Sequence, residues 1–264
     1  MHVPVYYVDA FTDQPFTGNP AAVCVLNSWL DDESLRKVAA ENNLSATAFL
    51  VHGEEGYEVR WFTSRCEIKL CGHATLAAAH VMLAIVGSAR DSVRFHTRHH
   101  GILTIQKDGD LLAMNFPAFF PHVLHTLPDR LIEALGNPSG LSELLEVNDT
   151  YIVVFNHPGV VRNLRPNFAL LESLHPHVVS VTAKGDDEDF VSRYFAPTYG
   201  TPEDPVTGSA HCVLAPYWAK RLGKSHLHAR QLSERGGELW CDLEGDRVIV
   251  KGKAVLTMQG SLSI

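Results

Sequence analysis

The chain has 264 residues, of which 45% are hydrophobic and 20% are charged. This ordinary globular composition excludes a disordered or low-complexity protein. The formal net charge is −8 and no run of like charges stands out, which argues against a nucleic-acid partner. The longest apolar stretch, 76–87, is too short to span a bilayer and carries a histidine, so we expect no membrane span.

The chain contains five cysteines and 15 histidines. An odd, scattered set of cysteines in a chain of this length is typical of reduced thiols. The first residues lack the basic and apolar segments of a signal peptide, so we expect a cytoplasmic protein. No spacing of cysteine, histidine and carboxylate residues repeats as a ligand set, and we therefore expect no metal site.

Strands and helices are expected in a similar order in both halves of the chain, from alternating apolar runs and helix-start signals. The first half predicts strands at 5–11, 21–26, 46–51, 57–63, 92–97, 101–107 and 111–117, and helices at 31–43 and 72–86. The second half predicts strands at 150–155, 177–183, 189–196, 237–242, 246–250 and 254–258, and a helix at 207–222.

A short pattern recurs in both halves and indicates an internal duplication. The first copy is an Arg-Trp-Phe strand at 60–62, then a glutamate, then Cys-Gly-His-Ala at 71–74 opening a helix. The second copy is Arg-Tyr-Phe at 193–195, a glutamate, and Thr-Gly-Ser-Ala at 207–210. In each copy the glutamate stands four residues before the Cys or Thr.

We therefore expect an α+β fold of two pseudo-symmetric halves. Each half would be a curved, mostly antiparallel sheet wrapped around one central helix that is apolar on most faces. The expected halves are residues 1–117 and 118–264, and strands at the termini could cross from one half to the other. The functional site is expected in the cleft between them.

The two central helix starts suggest a binding site for a small carboxylate. A helix start presents free backbone N–H groups and the positive end of the helix dipole. Gly72 and Gly208 would let a ligand approach the backbone, and two matched starts would form an anion cradle. The alternative is that both glycines only permit tight turns.

Three side chains near these helix starts could transfer protons. Cys71 would have its thiolate favoured by a helix start, but its counterpart is Thr207, so a two-thiol racemase lacks its second member. His73 suits proton transfer near neutrality, although a half-buried structural imidazole is the alternative. Asp204 could act as a base or could simply cap the helix.

Asn19 follows a glycine in the turn before the second predicted strand. Its amide could donate hydrogen bonds to a substrate, or it could hold the turn.

Four motifs in fixed order resemble the PhzF family of phenazine biosynthesis-like proteins. They are VDAFTDQPFTGNPAAVCVL at the start, NNLSATAFL at 42–50, CGHATLAAA at 71–79 and EDPVTGSAH at 203–211. The resemblance runs nearly end to end. It implies a diaminopimelate epimerase-like fold, no cofactor, a homodimer, and isomerisation of a small, cyclic carboxylic acid by moving a proton.

Residue by residue, the resemblance implies a catalytic histidine at His73 and a catalytic acidic residue at Asp204. It places Gly72, Gly208 and Ser209 in the substrate cradle, with Asn19 nearby. One position departs from the family pattern, because Ala46 stands where the family has the glutamate that serves as general acid/base. Loss of such a group typically lowers the rate by a factor of about 10² to 10⁴.

Three functional interpretations remain open from the sequence. The first is a cofactor-independent isomerase, impaired by Ala46 or using another group. The second is an inactive ligand-binding or scaffold protein of the same fold. The third is an epimerase that depends on Cys71, which occupies the place of a catalytic thiol in the epimerase relatives.

Overall fold

The structure is a computed structural model that describes residues 2–87 and 90–264. The chain divides into two compact units: Met1–Asn115 with Lys251–Ile264 forms the first, and Phe116–Val250 forms the second. No helix within the described ranges is long and apolar enough to cross a membrane. The same ranges contain no group of three histidine, cysteine or acidic residues placed to hold a metal ion.

The strands and helices follow in chain order. Up to residue 117 they are β1 (His2–Ala10), β2 (Asn19–Leu26), α1 (Asp32–Asn42), β3 (Ala46–Gly53), β4 (Gly56–Phe62), β5 (Glu67–Ile68), α2 (Gly72–His80), β6 (Ser92–His96), β7 (Ile102–Asp108) and β8 (Leu111–Pro117). Beyond it they are β9 (His122–Val123), α3 (Leu131–Ala134), β10 (Leu141–Val147), β11 (Thr150–Phe155), α4 (Pro158–Asn163), α5 (Phe168–Glu172), β12 (Val178–Lys184), β13 (Phe190–Ala196), β14 (Thr201–Asp204), α6 (Gly208–Leu222), β15 (His226–Gln231), β16 (Gly237–Glu244), β17 (Arg247–Gly252) and β18 (Ala254–Ser263).

The strands of the first unit pair in the order β18, β1, β2, β3, β4, β6, β7, β8. Pairs β2–β3 and β4–β6 are parallel and the others are antiparallel. Helix α2 packs against β1, β2, β3 and β18. Its residues 74–79 are all buried, because small and apolar side chains cover nearly every face of the helix. The expected arrangement of a sheet around one apolar helix is confirmed.

The end of α2 differs from the predicted helix at 72–86. A π-helical turn, Val81–Ile85, replaces the last α-helical turns, and Val86 N–H donates to Val81 O at 2.9 Å. A side chain on Gly87 would place its Cβ only 2.3 Å from Met82 O. Glycine is therefore required where the chain leaves the helix.

The second unit repeats the strand pairing of the first. Its strands pair in the order β9, β10, β11, β12, β13, β15, β16. Pairs β11–β12 and β13–β15 are parallel. They have the same positions in the strand order as the parallel pairs β2–β3 and β4–β6 of the first unit. Helix α6 packs against β15 and β16, and it follows β14 in the chain as α2 follows β5. The predicted duplication is confirmed by this shared order.

The duplication extends to an ion pair in each unit. Arg60 forms two hydrogen bonds to Glu67, at 2.7 and 2.6 Å, and its guanidinium lies over the Phe62 ring at 5.0 Å. Arg193 forms the same bidentate pair with Glu203, at 2.7 and 2.8 Å. The two glutamates that recur in the sequence therefore anchor the segment leading to each central helix.

Five strands were not expected from the sequence: the short strands β5, β9 and β14, and the longer strands β10 and β15. In β15, the buried residues Leu227, Ala229 and Gln231 alternate with more exposed ones, but its polar composition hides the pattern. Strand β10 contains adjacent leucines and lacks clear alternation. The closing strand β18 also extends to residue 263, beyond the expected end at 258, and pairs with β1 in the first unit.

Candidate functional site

The start of α2 holds the candidate residues of the first unit. Cys71 is the N-cap residue, with extended backbone angles, and forms no side-chain capping bond. Gly72 is the first helical residue, and a Cβ added there would meet nothing within 4 Å. The backbone at Gly72 therefore has open space beside it at the positive end of the helix dipole.

His73 lies in the first turn of α2 between a hydroxyl and a thiol. Its Nε2 atom is 3.1 Å from Ser45 Oγ, and its Nδ1 atom is 3.5 Å from Cys71 Sγ. Burial lowers the pKa of His73 to about 4. The imidazole is therefore neutral at pH 7.

Ser45 sets the tautomer of this imidazole. Its hydroxyl lies 2.8 Å from the backbone oxygen of Pro20 and 2.9 Å from Asn19 Oδ1, both of which are acceptors. Because the single hydroxyl proton points towards these oxygens, the Ser45 oxygen accepts a hydrogen bond from His73 Nε2–H. The lone pair of the ring is then on Nδ1, on the side of the Cys71 thiol.

Asn19 is part of this network and is fully buried at the start of β2. The structure thus brings three predicted residues together, Asn19, Cys71 and His73, and adds Ser45, which was not singled out. Its only sequence signal was its place in the family motif NNLSATAFL.

Ala46 is the first residue of β3 and pairs with Ala21 of the neighbouring parallel strand. Its side chain is fully buried. The position at which the family resemblance implies a glutamate therefore presents only a methyl group, one residue after Ser45. A methyl group can neither donate nor accept a proton.

The candidate residues of the second unit lie before and at the start of α6. Asp204 ends β14, and its Oδ2 atom accepts a hydrogen bond from the Thr207 hydroxyl at 2.5 Å. Thr207, not Asp204, is the N-cap residue, and it forms no side-chain capping bond. The N-cap side chains of α2 and α6 thus both lack a capping bond.

Two residues missed by the sequence analysis fix the turn between Asp204 and α6. Gln231, fully buried, accepts a bond from Thr207 N–H at 2.9 Å and donates to Asp204 O at 2.7 Å. Ser233 donates to Pro205 O at 2.7 Å. Both lie far along the chain on or after β15, and no local motif marked them.

Gly208 is the first residue of α6 and is buried, whereas Ser209 follows it with an exposed side chain. Ser209 is therefore an exposed hydroxyl-bearing residue in the first turn of α6. This arrangement can supply both backbone and side-chain donors to an anion.

A family model described as Phenazine biosynthesis-like protein matches residues 8–260. An uncharacterized isomerase of Pseudomonas aeruginosa is 50% identical, with both chains fully covered. A crystal structure of a PhzF family protein from Enterococcus faecalis is 41% identical, with both chains fully covered and a TM-score of 0.95. A predicted epimerase from Pseudomonas aeruginosa shares the fold at 22% identity, with 98% and 99% of the chains covered and a TM-score of 0.76.

Proposed function

Because the chain belongs to the family of phenazine biosynthesis-like proteins, we propose that it is an isomerase that moves a proton within a small carboxylic acid and uses no cofactor. The observation that carries the proposal is the neutral imidazole of His73 at a helix start whose N-cap residue forms no side-chain capping bond. A relative of the same length is named an isomerase, and this pairing of anion-binding backbone with a proton-transfer group suits that reaction.

The carboxylate of the substrate would bind at a helix start. The N-cap residues of α2 and α6, Cys71 and Thr207, form no side-chain capping bond. An anion at a helix start bonds to the first N–H groups and interacts favourably with the helix dipole. A bound carboxylate withdraws electron density from the neighbouring carbon only weakly, so its charge must be stabilised before a C–H proton can leave.

His73 and Asp204 are the proposed proton-transfer groups. One would remove a proton from a carbon of the substrate, and the electron pair would shift the double bond. The other would return a proton at a different carbon, so that atoms and charge balance. In the free protein the pKa of His73 is about 4, and a carboxylate bound nearby would raise it towards neutrality because an opposite charge favours the imidazolium.

Hydrogen–deuterium exchange tests this proposal. The wild-type protein is incubated in D₂O with a set of small cyclic carboxylic acids, and NMR follows the loss of C–H signals. We expect exchange, together with migration of the double bond, in at least one unsaturated acid. If no acid in the set exchanges while several stabilise the fold, the isomerase proposal is wrong.

A second candidate function is ligand binding without turnover. The observation that favours it is Ala46, whose buried methyl group replaces the general acid/base that the family resemblance implies. Acids that raise the melting temperature by binding the native state, without any exchange in D₂O, would support this function.

A third candidate is an epimerase that depends on Cys71. The thiol lies 3.5 Å from His73 Nδ1, close enough for the imidazole to accept its proton. Replacement Cys71→Ala separates the candidates. Exchange that continues at a rate within about tenfold of wild type excludes a catalytic thiol, whereas a loss of about 10²-fold or more would establish one.

A further inference from the structure

A fully buried glutamine bonds to the turn that carries Asp204. Gln231 is the last residue of β15. Its Oε1 atom accepts a hydrogen bond from Thr207 N–H at 2.9 Å, and its Nε2 atom lies 2.7 Å from Asp204 O and 3.3 Å from Thr207 Oγ1. Burying an amide costs free energy unless its polar atoms are paired. Both the oxygen and the nitrogen of this buried amide are therefore paired within one turn.

These partners fix the orientation of the Gln231 amide. The backbone N–H of Thr207 can only donate, so it faces the carbonyl oxygen of the side chain. The backbone oxygen of Asp204 can only accept, so it faces the amide nitrogen. The second proton of that nitrogen is then directed at Thr207 Oγ1. A flipped amide would bring two donors together and two acceptors together, which excludes it.

The amide in turn determines where the hydroxyl proton of Thr207 points. Among the described residues, this hydroxyl has two partners, Gln231 Nε2 and Asp204 Oδ2, the latter at 2.5 Å. Because Nε2 can only donate, the Thr207 oxygen accepts from it, and the single hydroxyl proton goes to the carboxylate. Two hydrogen bonds thus run in one direction, from Gln231 through Thr207 to Asp204. In such a chain each bond polarises and strengthens the next.

This chain of bonds favours the charged form of Asp204. A hydroxyl that donates to a carboxylate stabilises the negative charge. Protonation of Asp204 Oδ2 would oppose the hydroxyl proton of Thr207, which has no second acceptor among its partners in the described chain. The hydroxyl could accept from the protonated carboxyl only by giving up its own bond.

The neighbouring titratable groups act on Asp204 in other ways. Tyr194 pairs with Asp204 across β13 and β14. Burial, and after it the charge of Asp204, raises the pKa of Tyr194 far above its usual value, so the phenol is neutral at pH 7. The adjacent carboxylate, Glu203, is neutralised by its bidentate pair with Arg193. The hydroxyl of Thr207 is therefore a partner of Asp204 whose direction is set by a residue far along the chain.

The first unit forms the same turn without these groups. Ile68 and Cys71 follow Glu67 at the positions that Asp204 and Thr207 occupy after the second glutamate. A central helix begins directly after Cys71, as one does after Thr207. The fold therefore accepts an apolar side chain at the position of Asp204. The carboxylate and the two bonds that lead to it are not needed to start the helix.

We propose that Gln231 is a positioning residue, which acts through the Thr207 hydroxyl to hold the side chain of Asp204 in one orientation and in the form that accepts a proton. The proposal rests on the proposed function only in taking Asp204 as a proton-transfer group. In the reaction, Asp204 would then be the group that removes the proton from the substrate carbon.

The test follows the carboxyl carbon of Asp204 by ¹³C NMR in protein labelled at its aspartate side chains. The signal of Asp204 is the one that disappears in Asp204→Asn. We expect Thr207→Val, which keeps the branched shape but lacks the hydroxyl, to raise the titration midpoint of this signal by about one pH unit. Thr207→Ser retains the hydroxyl and should leave the midpoint unchanged.

The decisive variant is Gln231→Met, which keeps the length of the side chain and removes the amide. It should raise the midpoint by about half a pH unit, because the Thr207 hydroxyl is then free to accept a proton from the carboxyl. Added to Thr207→Val, it should cause no further shift, since both residues act in one chain of bonds. Gln231→Asn, whose shorter amide cannot span the turn, replaces it if Gln231→Met does not fold.

Ser233→Ala is the matched control. Its hydroxyl bonds to Pro205 O in the same turn but lies outside the chain that ends on Asp204. The midpoint should therefore stay at the wild-type value. The proposal is wrong if Gln231→Met leaves the midpoint unchanged, if its shift adds to that of Thr207→Val, or if Ser233→Ala causes an equal shift. In each case the glutamine would only stabilise the turn.

Deuterium exchange as a function of pH supplies the functional readout. The acid side of the rate profile should move to higher pH in Gln231→Met by the same amount as the NMR midpoint. A profile that stays in place while the midpoint moves would contradict the role of Asp204 in removing the proton. A midpoint that depends on Gln231 without any exchange would leave the positioning role standing while the isomerase proposal fails. Exchange with an unchanged midpoint would do the reverse.

Discussion

His211 donates a hydrogen bond from Nδ1 to the backbone oxygen of Thr207 at 2.8 Å. In the first unit the Thr75 hydroxyl donates to the backbone oxygen of Cys71 at 2.6 Å. Each bond connects a side chain in the first helical turn to the N-cap residue four positions earlier. The two central helices thus have this hydrogen bond at the same position but form it with different side chains. Of the two, only the imidazole of His211 can titrate.

The stability of the protein should fall as the pH is lowered from about 6.5 to about 4. His211 is fully buried, and burial lowers its pKa from 6.5 to about 4, partly offset by the bond to Thr207. The unfolded state therefore binds more protons within this window, so stability is complete above about 6.5 and decreases at lower pH, by up to about 1.4 kcal/mol per pH unit.

Urea unfolding across this pH range measures the effect, with His211→Gln as the control. The variant lacks the titrating ring, so its curve should be flatter between pH 4 and 6.5, whatever its absolute stability. Parallel curves for the two proteins would contradict the assignment of a buried neutral imidazole at position 211.

Replacement Arg193→Lys should destabilise the protein by about 1–3 kcal/mol. Lysine keeps the charge but cannot form the bidentate pair with Glu203. The side chain of Arg193 is only 9% exposed, so water cannot replace the lost bonds. Chemical denaturation measures the difference.

The control for this substitution is Arg221→Lys in the same unit. Arg221 pairs with Glu143 at 3.2 Å, but its side chain is 48% exposed. Its replacement should cost less than about 1 kcal/mol. Equal losses at the two positions would show that the burial of the Arg193 pair has no energetic consequence.

Replacement His73→Asn should lower the exchange rate by a factor of about 10² to 10⁴ without unfolding the protein. Asparagine can still donate a hydrogen bond to Ser45, but it cannot transfer a proton. The assay is deuterium exchange at saturating acid, with circular dichroism to verify the fold. His80→Asn on the same helix is the control and should keep the wild-type rate, since its side chain ends α2 instead of opening it.

Replacement Ala46→Glu should raise the exchange rate, because it supplies the proton-transfer group that the family pattern has at this position. It should also lower the melting temperature, since the position is fully buried. Ala46→Gln is the matched control, with the same size and no ability to transfer a proton. If both variants behave alike in the exchange assay, the methyl group at position 46 does not limit activity.

The fold was largely predictable because its periodicity is local. The alanines of 74–79 and the Arg-x-Phe strands mark a buried helix and its flanking strands directly, and their recurrence predicts the duplication. Strands β10 and β15 could not be found in this way. The buried faces of these two strands become evident only when β10 pairs with β11 and β15 pairs with β16. Such pairing depends on other segments of the chain and not on the local sequence of the strand.

The residues of the candidate site could be predicted only where they lie in a recognisable sequence motif. His73 and Asp204 stand in short recurring segments, but Gln231, which holds Thr207 and Asp204 in place, is 27 residues from Asp204 in sequence.

Strand β18 pairs with β1 along its length, from His2 opposite Ser263 to Ala10 opposite Ala254. During synthesis the ribosome produces the whole of Phe116–Val250 before this strand emerges. The first unit therefore cannot complete its sheet when only its first 115 residues have been synthesised. This differs from the usual order, in which an N-terminal domain folds first. The second unit, which is continuous in sequence, is the one able to finish folding on the ribosome.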